Sequence, residues 1–432
     1  MTLKERITGF HTLGYDYWVF FLFILFMGRG TDFLSNFDPR VFPLSFLLLI
    51  TLAFSMMKRT MVSSGYFNKM VILVPFLIWM AYHYFVDKPF AYVIYLIFFV
   101  KLVIGISAAP YYGARVIDYY SRIVALLAAV SIPFWVVANF IGVDTLASFA
   151  PFQQSQGEGS SFIVYTTLEN LGVSDRAQAL YGGITRNSGF AWEPGRFASM
   201  IVLAQVCYII REGKINWKSR EWIVLLIALL TSQSTTGYAS FLLCLALYYL
   251  GSRKISSTYR ILGIIGFLVI VPYILSLPFM QDKIIDSADT SNWYTEINAD
   301  WIQKTDRIVT VDRTEGLYLD YLNLTYKPIM GTGLAMRETY LYKFISQNLT
   351  TSNGLLGPLS KLGLLLGVPF FILFFIGARK MSKCYSNSNT AMLFIVMIVF
   401  QYSYNFMFEI VIIAIAMYAL VKEENKVFIE KI

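Results

Sequence analysis

The segment Arg186-Asn-Ser-Gly-Phe-Ala-Trp-Glu-Pro-Gly-Arg-Phe-Ala198 brings two arginines and a glutamate to the point where a polar stretch meets an apolar helix. Charges at the edge of a bilayer are costly to hold unless they are paired or hydrated. Guanidinium groups are suited to binding an anionic head group such as a phosphate, because each presents fixed donors in one plane. The segment therefore predicts an enzyme or carrier that acts on a lipid-linked anion at a membrane face.

Glu193 in this segment has two interpretations. Pro194 follows it, and proline is tolerated in the first turn of a helix because its missing N–H would be unpaired there. Glu193 then lies at the positive end of the helix dipole. The residue either marks a plain helix start, with the arginines Arg186 and Arg196 paired to it as a head-group anchor, or it serves as a general base.

A second polar stretch also carries candidate residues. Leu317, Tyr318, Tyr321 and Leu324 recur at helical spacing, which predicts an amphipathic helix near 313–324 that lies in the membrane interface. Arg313 and Glu315 open this helix. Glu315 is a second candidate for the general base, although a solvated helix face would explain it equally well.

The turn Lys327-Pro-Ile-Met-Gly-Thr-Gly333 follows this helix. Gly331 and Gly333 allow the backbone to approach another group closely, but the turn lacks the spacing of a nucleotide-phosphate loop. The cations of the two polar stretches are expected to converge over one cavity: Arg186, Arg196, Arg313, Lys327 and Arg337. For Arg337, contact with lipid phosphates or solvent is the stronger alternative.

The composition indicates a polytopic membrane protein. The chain has 432 residues, of which 57% are hydrophobic, and a mean hydropathy of +0.58. We predict one all-α integral membrane domain over 1–432 with about 12 transmembrane helices. Polar breaks split two long apolar runs, at 232–237 and 401–405. The predicted spans are 15–28, 41–57, 70–86, 90–108, 123–143, 197–210, 222–231, 238–250, 261–277, 355–376, 391–402 and 406–421.

Lysine and arginine lie mainly in alternate short loops, which predicts that both termini are cytoplasmic. Two long loops, 144–185 and 279–353, then face outward, and 168–180 in the first is a candidate surface helix. The net charge of +8 largely reflects this bias, so no nucleic-acid partner is expected. Three cysteines and two histidines provide no disulfide framework and no metal site. We expect Lys101 and Lys361, which lie within spans, to extend toward an interface.

Several of these motifs, in order, resemble the O-antigen polymerase and ligase superfamily. The pattern Arg186-x-Ser-Gly-Phe-x-x-Glu-Pro is similar to the entry of the middle span in these proteins. Arg313, the amphipathic helix and the Pro328-x-x-Gly-x-Gly turn resemble their second outer loop. The polar break at 229–237 and the re-entry at 353–363 are similar as well.

The resemblance implies an inverting, metal-independent glycosyltransferase of the bacterial inner membrane, with its active site facing the periplasm and no cofactor. Its donor and acceptor would be undecaprenyl-pyrophosphate-linked oligosaccharides, and a chain-length regulator protein is a further expected partner. Arg186, Arg196 and Arg313 match the positions of arginines that hold the pyrophosphate. Glu193 is the favoured general base, because it shares its segment with two arginines.

The ligases use an outer-loop histidine near the position of 351–353, and neither outer loop of this chain contains a histidine. A polymerase that elongates O-antigen or capsule is therefore favoured over a ligase that transfers glycan to lipid A-core. A lipid-linked oligosaccharide flippase is the other alternative, opposed by the lack of internal repeats. A polar cluster at the last hairpin, which includes Tyr404 and Glu409, is expected to line the acceptor site, although an interfacial aromatic belt would explain its tyrosines equally well.

Overall fold

The computed structural model describes residues 3–29, 41–61, 70–87, 90–153, 159–168, 184–191, 193–251, 309–310, 313–347, 349–351, 354–385 and 389–421. About 79% of the structure is helical and almost none is strand. The predicted all-α class is confirmed. The predicted span 261–277 and most of the candidate surface helix, 169–180, lie outside the described residues.

Thirteen α-helices are described in these segments. They are α1 (Leu3–Arg29), α2 (Val41–Met61), α3 (Leu73–Val86), α4 (Tyr92–Tyr112), α5 (Val116–Ile141), α6 (Val143–Ser148), α7 (Pro194–Glu212), α8 (Arg220–Ser232), α9 (Thr235–Gly251), α10 (Arg313–Tyr326), α11 (Gly357–Cys384), α12 (Met392–Ser403) and α13 (Ile410–Met417). Short 3₁₀ turns cover Gly113–Arg115, Met336–Glu338 and Tyr418–Leu420, and a π turn covers Leu341–Ile345.

By length and composition, two helical segments of the described chain are long and apolar enough to cross a bilayer. One is Tyr92–Ile141, in which α4 continues into α5, and the other is Gly357–Cys384. Five further apolar helices are shorter: Gly14–Gly28, Leu73–Val86, Thr235–Gly251, Met392–Ser403 and Ile410–Leu420. The predicted number of twelve spans is therefore not confirmed.

Helices α4 and α5 are joined by a single 3₁₀ turn, whereas the sequence predicted a cytoplasmic loop between spans ending at 108 and starting at 123. The turn begins at Gly113, whose φ of +55° suits glycine. Arg122, one of the charges that suggested a loop, has a partner on the same helix, and that partner also pairs with α7. Asp118 pairs with Arg122 at 2.8 Å and with Arg211 at 3.3 Å. Paired charges do not require the chain to leave the helix.

Helix α7 is the centre of the bundle. Every residue from Pro194 to Ile210 is buried, and the helix packs against α5, α8, α9 and α12. Helix α13 is also buried along its whole length, between α4 and α11. Both helices are apolar over most of their surface, as is expected for helices in such a central position.

Two small sheets lie in the polar stretches. Strands β1 (Phe152–Gln153), β2 (Gly159–Ser161) and β3 (Thr166–Leu168) form an antiparallel sheet in the order β1-β2-β3. Strand β4 (Val309–Thr310) pairs in parallel with β5 (Leu349–Thr350), with Val309 opposite Leu349. This pairing brings together the two ends of the segment that carries α10.

Helix α11 is interrupted at Gly363, whose φ is +69°. The turn at 327–334 docks onto this interruption and supplies the hydrogen bonds that the helix lacks there. Thr332 N–H donates to the Ser360 carbonyl at 2.8 Å, and Leu364 N–H donates to the Pro328 carbonyl at 2.8 Å. A β-carbon on Gly331 would lie 2.3 Å from the Lys361 carbonyl oxygen, so the glycine permits the close approach. We call this contact the turn–helix clasp.

Gly363→Ala should disrupt the clasp. Its β-carbon would lie 2.1 Å from the Ile329 carbonyl oxygen, and the residue would be held at positive φ. We expect the free energy of unfolding to fall by about 2 kcal/mol or more. Thermal unfolding in detergent measures the change. Gly14→Ala is the matched control, since nothing lies within 4 Å of a β-carbon there; equal midpoints for the two variants would contradict the prediction.

Candidate functional site

A buried ionic group lies at the first turn of α7. Glu409 accepts from the Arg196 guanidinium at 3.1 Å with one carboxylate oxygen and from the Lys101 ammonium at 2.9 Å with the other. Arg196, Glu409 and Lys101 are 7%, 5% and 3% exposed. Among the described residues Glu409 is the only acidic partner of either cation. The group therefore carries one formal positive charge in excess.

Three helices position this group. Arg196 is the third residue of α7, Glu409 is the N-cap of α13, and Lys101 lies in the middle of α4. Arg196 also donates to the Met27 carbonyl, from Nε at 3.0 Å and from Nη2 at 2.6 Å, and its guanidinium lies 4.6 Å from the Phe406 ring centroid. The positive end of the α7 dipole adds to the positive potential at this point.

The sequence did not predict this group. Lys101 was expected to extend toward an interface, but that expectation is wrong because the residue is buried and paired with Glu409. Glu409 was expected to line the acceptor site together with Tyr404; the carboxylate is directed to Arg196 and Lys101. An acidic residue 308 positions away from Lys101 leaves no local pattern that would indicate the pair.

Arg186 lies where α8 ends. Its Nε donates to the Ser232 carbonyl at 3.3 Å, and the side chain is half-buried. Asn187 binds the same helix end, through its N–H to the Thr231 carbonyl at 2.9 Å and through its amide to the Thr231 hydroxyl at 3.0 Å. The last carbonyls of a helix need such partners. The polar break between α8 and α9 thus receives the Arg186 segment.

Glu193 is the N-cap of α7 and is half-buried. Its carbonyl accepts the N–H of Phe197 at 3.1 Å. No ionic partner of its side chain lies within the described part of the chain. The head-group anchor, in which Glu193 pairs with both arginines, is wrong for Arg196, which pairs with Glu409 instead.

Tyr404 is buried beside the same helix start. A β-carbon on Gly195 would lie 2.0 Å from the Tyr404 hydroxyl oxygen, so only glycine leaves room for the ring. One residue earlier, the Ser403 hydroxyl lies 3.3 Å from that of Thr236 at the start of α9. The turn between α12 and α13 therefore contacts α7 and α9 at once.

Lys327 belongs to a chain of ion pairs beside the turn–helix clasp. Its ammonium lies 3.2 Å from Asp87 and 3.4 Å from Glu338, and Glu338 also pairs with Lys343 at 2.5 Å. Burial lowers the pKa of Lys327, but Asp87 and Glu338 raise it more, so the pKa is above its ordinary value. Burial raises the pKa of Asp87. The hydrogen bond and charge of His83, together with the charge of Lys327, have a larger opposite effect, so the pKa lies below its ordinary value.

The turn itself is held on its other side by α3 and α4. The Met330 carbonyl accepts from Trp79 Nε1 at 2.7 Å and lies 3.2 Å from His83 Nε2. The Leu334 N–H donates to the Tyr95 hydroxyl at 3.1 Å. The sequence predicted that Gly331 and Gly333 let the backbone approach another group, and the groups they approach belong to α11, α3 and α4.

The remaining predicted residues lie in the second polar stretch. Arg313 opens α10, as expected, and its side chain is outside the described part. Glu315 is half-buried in the first turn of α10, and Arg337 is exposed in a 3₁₀ turn. The predicted stripe of α10 is its outer face, since Tyr318 and Tyr321 are 43% and 52% exposed. The buried face of α10 is more polar: Gly316, Leu319, Asp320 and Asn323.

Asp320 on this face is the candidate residue that the sequence did not single out. It is 1% exposed. One carboxylate oxygen accepts from the Thr351 hydroxyl at 2.9 Å and from the Asn323 amide at 3.4 Å. The other oxygen, Oδ2, accepts no hydrogen bond of normal geometry in the described structure, although the Ser360 side chain is close enough to lower the pKa of the carboxyl. Burial raises the pKa of Asp320 to about 6, and the charge of Lys361 and the hydrogen bonds only partly offset this effect.

Two more polar atoms near Asp320 lack partners in the described structure, Gln401 Nε2 and Asn405 Oδ1. A β-carbon on Gly357 would lie 3.3 Å from Asp320 Oδ2 and 3.9 Å from Asn405 Nδ2. Gln401 accepts the Gly354 N–H at 2.6 Å with its backbone carbonyl. These residues, with Lys361 and Thr351, form a cluster of buried polar side chains that we call the acidic pocket.

Among the described residues, no group of three or more His, Cys, Asp or Glu side chains could hold a metal ion. Comparison of the chain with protein-family models, with curated proteins and with solved structures gave no match. The similarity to O-antigen polymerases and ligases thus stays a prediction from the motifs.

Glu409→Gln should destabilise the fold strongly. It leaves two buried cations without a counter-charge, and breaking a buried pair in this way costs about 3–5 kcal/mol. Thermal unfolding in detergent should show a large fall in midpoint, and adding Lys101→Met should restore part of it. Arg122→Gln is the control, because its pair with Asp118 is solvent-exposed and worth at most about 1 kcal/mol. Equal effects of the two single variants would refute the buried-pair argument.

Asp320→Asn should stabilise the protein at neutral pH. Folding raises the pKa of Asp320, so the folded protein binds this proton more tightly than the unfolded chain does. The stability that the bound proton contributes is lost as pH rises through about 6, where the buried carboxyl ionises. Asparagine does not titrate, so we expect a gain of about 1–3 kcal/mol at pH 8 that disappears toward pH 4. Unfolding midpoints across this range test it, with exposed Asp144→Asn as control. A pH-independent difference would contradict the assignment.

Proposed function

We propose that the protein is a polysaccharide polymerase of the bacterial inner membrane. It transfers a growing undecaprenyl-pyrophosphate-linked glycan onto a new lipid-linked repeat unit at the periplasmic face. The glycan is a surface polymer such as O-antigen or capsule. The chemistry is an inverting, metal-independent glycosyl transfer.

A membrane location is supported by the outer faces of the helices. Large apolar side chains point away from the bundle along several of them, including Phe54, Phe85, Leu126 and Phe140, which are 61–85% exposed. Soluble monomers rarely expose apolar surface of this extent. In a bilayer these faces contact lipid. The exposed tyrosines of α10, Tyr318 and Tyr321, suit the membrane–water interface.

The observation that carries the proposal is the excess positive charge at the start of α7. Two buried cations share one carboxylate there, at the positive end of a helix dipole. An unbalanced buried charge is costly in a membrane protein, and a bound anion offsets that cost. A pyrophosphate also gains charge as it leaves the sugar, so fixed cations stabilise the transition state more than the ground state.

In this proposal Arg186, Arg196 and Arg313 hold the pyrophosphate. Lys327 and Arg337 belong to the glycan-facing side, and Gly331 and Gly333 shape the turn that carries Lys327. Tyr404 supports the acceptor side, whereas Glu409 holds Arg196 on the pyrophosphate side. Glu193 and Glu315 are candidate general bases.

The arginine variants test the pyrophosphate site. Arg186→Ala, Arg196→Ala and Arg313→Ala should each abolish long polymer when they replace the wild-type gene, because one fixed donor to developing charge is typically worth about 100-fold or more in rate. The measurement is the length distribution of surface glycan on a gel, with membrane insertion verified by immunoblot. Arg122→Ala is the matched control. Normal polymer from all three correctly inserted variants would exclude the pyrophosphate site.

A clean deletion identifies the step. A polymerase is expected to leave single repeat units on the surface in place of a long ladder. Loss of attached glycan with long lipid-linked polymer outside would indicate a ligase. Single lipid-linked units trapped in the cytoplasmic leaflet would indicate a flippase.

A further inference from the structure

The acidic pocket contains three polar atoms that the described protein does not satisfy. Asp320 Oδ2, Asn405 Oδ1 and Gln401 Nε2 are all buried and without partners there. Each such atom costs about 1–3 kcal/mol if nothing pairs with it. Such groups indicate a bound partner, either ordered water or a ligand.

The chemistry of the pocket favours a hydroxyl-rich ligand. Asp320 Oδ2 needs a donor and Gln401 Nε2 needs an acceptor, and a hydroxyl group is both. It also satisfies the Asn405 amide in either orientation. The Asp320 carboxylate disfavours an anion, and the charge of Lys361, which acts on Asp320, disfavours a cation. A sugar provides several hydroxyl groups in a small volume.

The pocket lies next to the buried ionic group. Asn405 lines the pocket, and the preceding residue, Tyr404, packs on Gly195 at the start of α7. The same short turn ends at Glu409, which holds Arg196 and Lys101. The turn between α12 and α13 therefore connects the excess positive charge to the buried carboxylate of Asp320. Glycosyl transfer needs the cations that hold the leaving pyrophosphate to lie near the group that accepts the proton of the attacking hydroxyl.

We propose that the acidic pocket binds the acceptor sugar and that Asp320 Oδ2 takes the proton of its attacking hydroxyl. The inference rests on the proposed polymerase activity. The acceptor oxygen forms a bond to the anomeric carbon of the donor glycan, and the bond from that carbon to the pyrophosphate oxygen breaks. The pyrophosphate leaves with the bonding electron pair, and the hydroxyl proton moves to Asp320. Thr351 acts as a positioning residue, because its hydroxyl binds the other oxygen of Asp320.

The acid–base properties of Asp320 agree with this role. Its pKa of about 6 leaves the carboxylate mostly ionised at neutral pH, yet more basic than an ordinary aspartate. The rate should therefore fall as pH decreases through about 6, because the protonated carboxyl cannot accept a proton.

The test is polymerisation by the purified full-length protein in detergent. The probe is undecaprenyl-pyrophosphate-linked repeat units extracted from the strain that lacks the gene. Asp320→Asn keeps the size of the side chain, and we expect its rate to fall by about 100-fold or more, the usual contribution of a general base. Asp144→Asn, an exposed carboxylate elsewhere, should keep the wild-type rate and pH profile. Gel filtration and unfolding midpoints verify that each variant is folded.

Thr351→Val gives a readout that a purely structural role would not produce. Loss of its hydrogen bond raises the pKa of Asp320, so the acid limb of the pH–rate profile should move to higher pH. Folded Asp320→Asn with a rate within threefold of wild type would show that the pocket holds only structural water. If Asp320→Asn fails to fold, an unmoved acid limb in Thr351→Val overturns the proposal. An inactive wild-type protein would instead contradict the polymerase function itself.

Discussion

The sharing of one buried carboxylate by two cations constrains the whole bundle. Glu409 must reach Arg196 on α7 and Lys101 on α4, so α13 has to begin where those helices meet. The turn before it is fixed as well, because Tyr404 packs against Gly195 and Phe406 lies under the Arg196 guanidinium. Buried ion pairs are poor sources of net stability, but breaking one is costly, so they define which helices are neighbours. The excess charge of the group is a cost to the isolated protein that a bound anion would offset.

The part of the molecule that carries α10 depends on a different constraint, the interruption of α11. At Gly363 the helix loses its regular hydrogen bonds, and the turn at 327–334 replaces them through its own backbone. The turn is held from the other side by Trp79 and Tyr95. Helix α10 immediately precedes the turn, so docking of the turn places the buried face of α10, with Asp320, against the start of α11. Gly331 and Gly363 thus determine the position of Asp320, although neither glycine contacts it.

The sequence predicted features that follow from local pattern. The breaks between α8 and α9 and between α12 and α13 were expected from short polar runs, and the helical spacing near 313–324 corresponds to α10. Prediction from local pattern failed where residues distant in sequence determine a side chain's partner or its burial. Lys101 needed a partner from α13, which no periodicity shows. In α10 the aromatic stripe is exposed, but the local pattern did not show that the opposite, more polar side is buried. There Thr351 donates to Asp320, and Ser360 and the charge of Lys361 act on it from α11.

The glycosyl transfer that we propose needs two opposite electrostatic environments close together. A leaving pyrophosphate is stabilised by fixed positive charge, whereas a proton acceptor near the same cations would lose basicity. Here the two are on different sides of the turn between α12 and α13. Glu409 absorbs part of the positive charge on one side, and on the other side burial keeps the pKa of Asp320 near 6 even though Lys361 is close. Separation by this largely buried turn allows the two groups to keep different electrostatic environments.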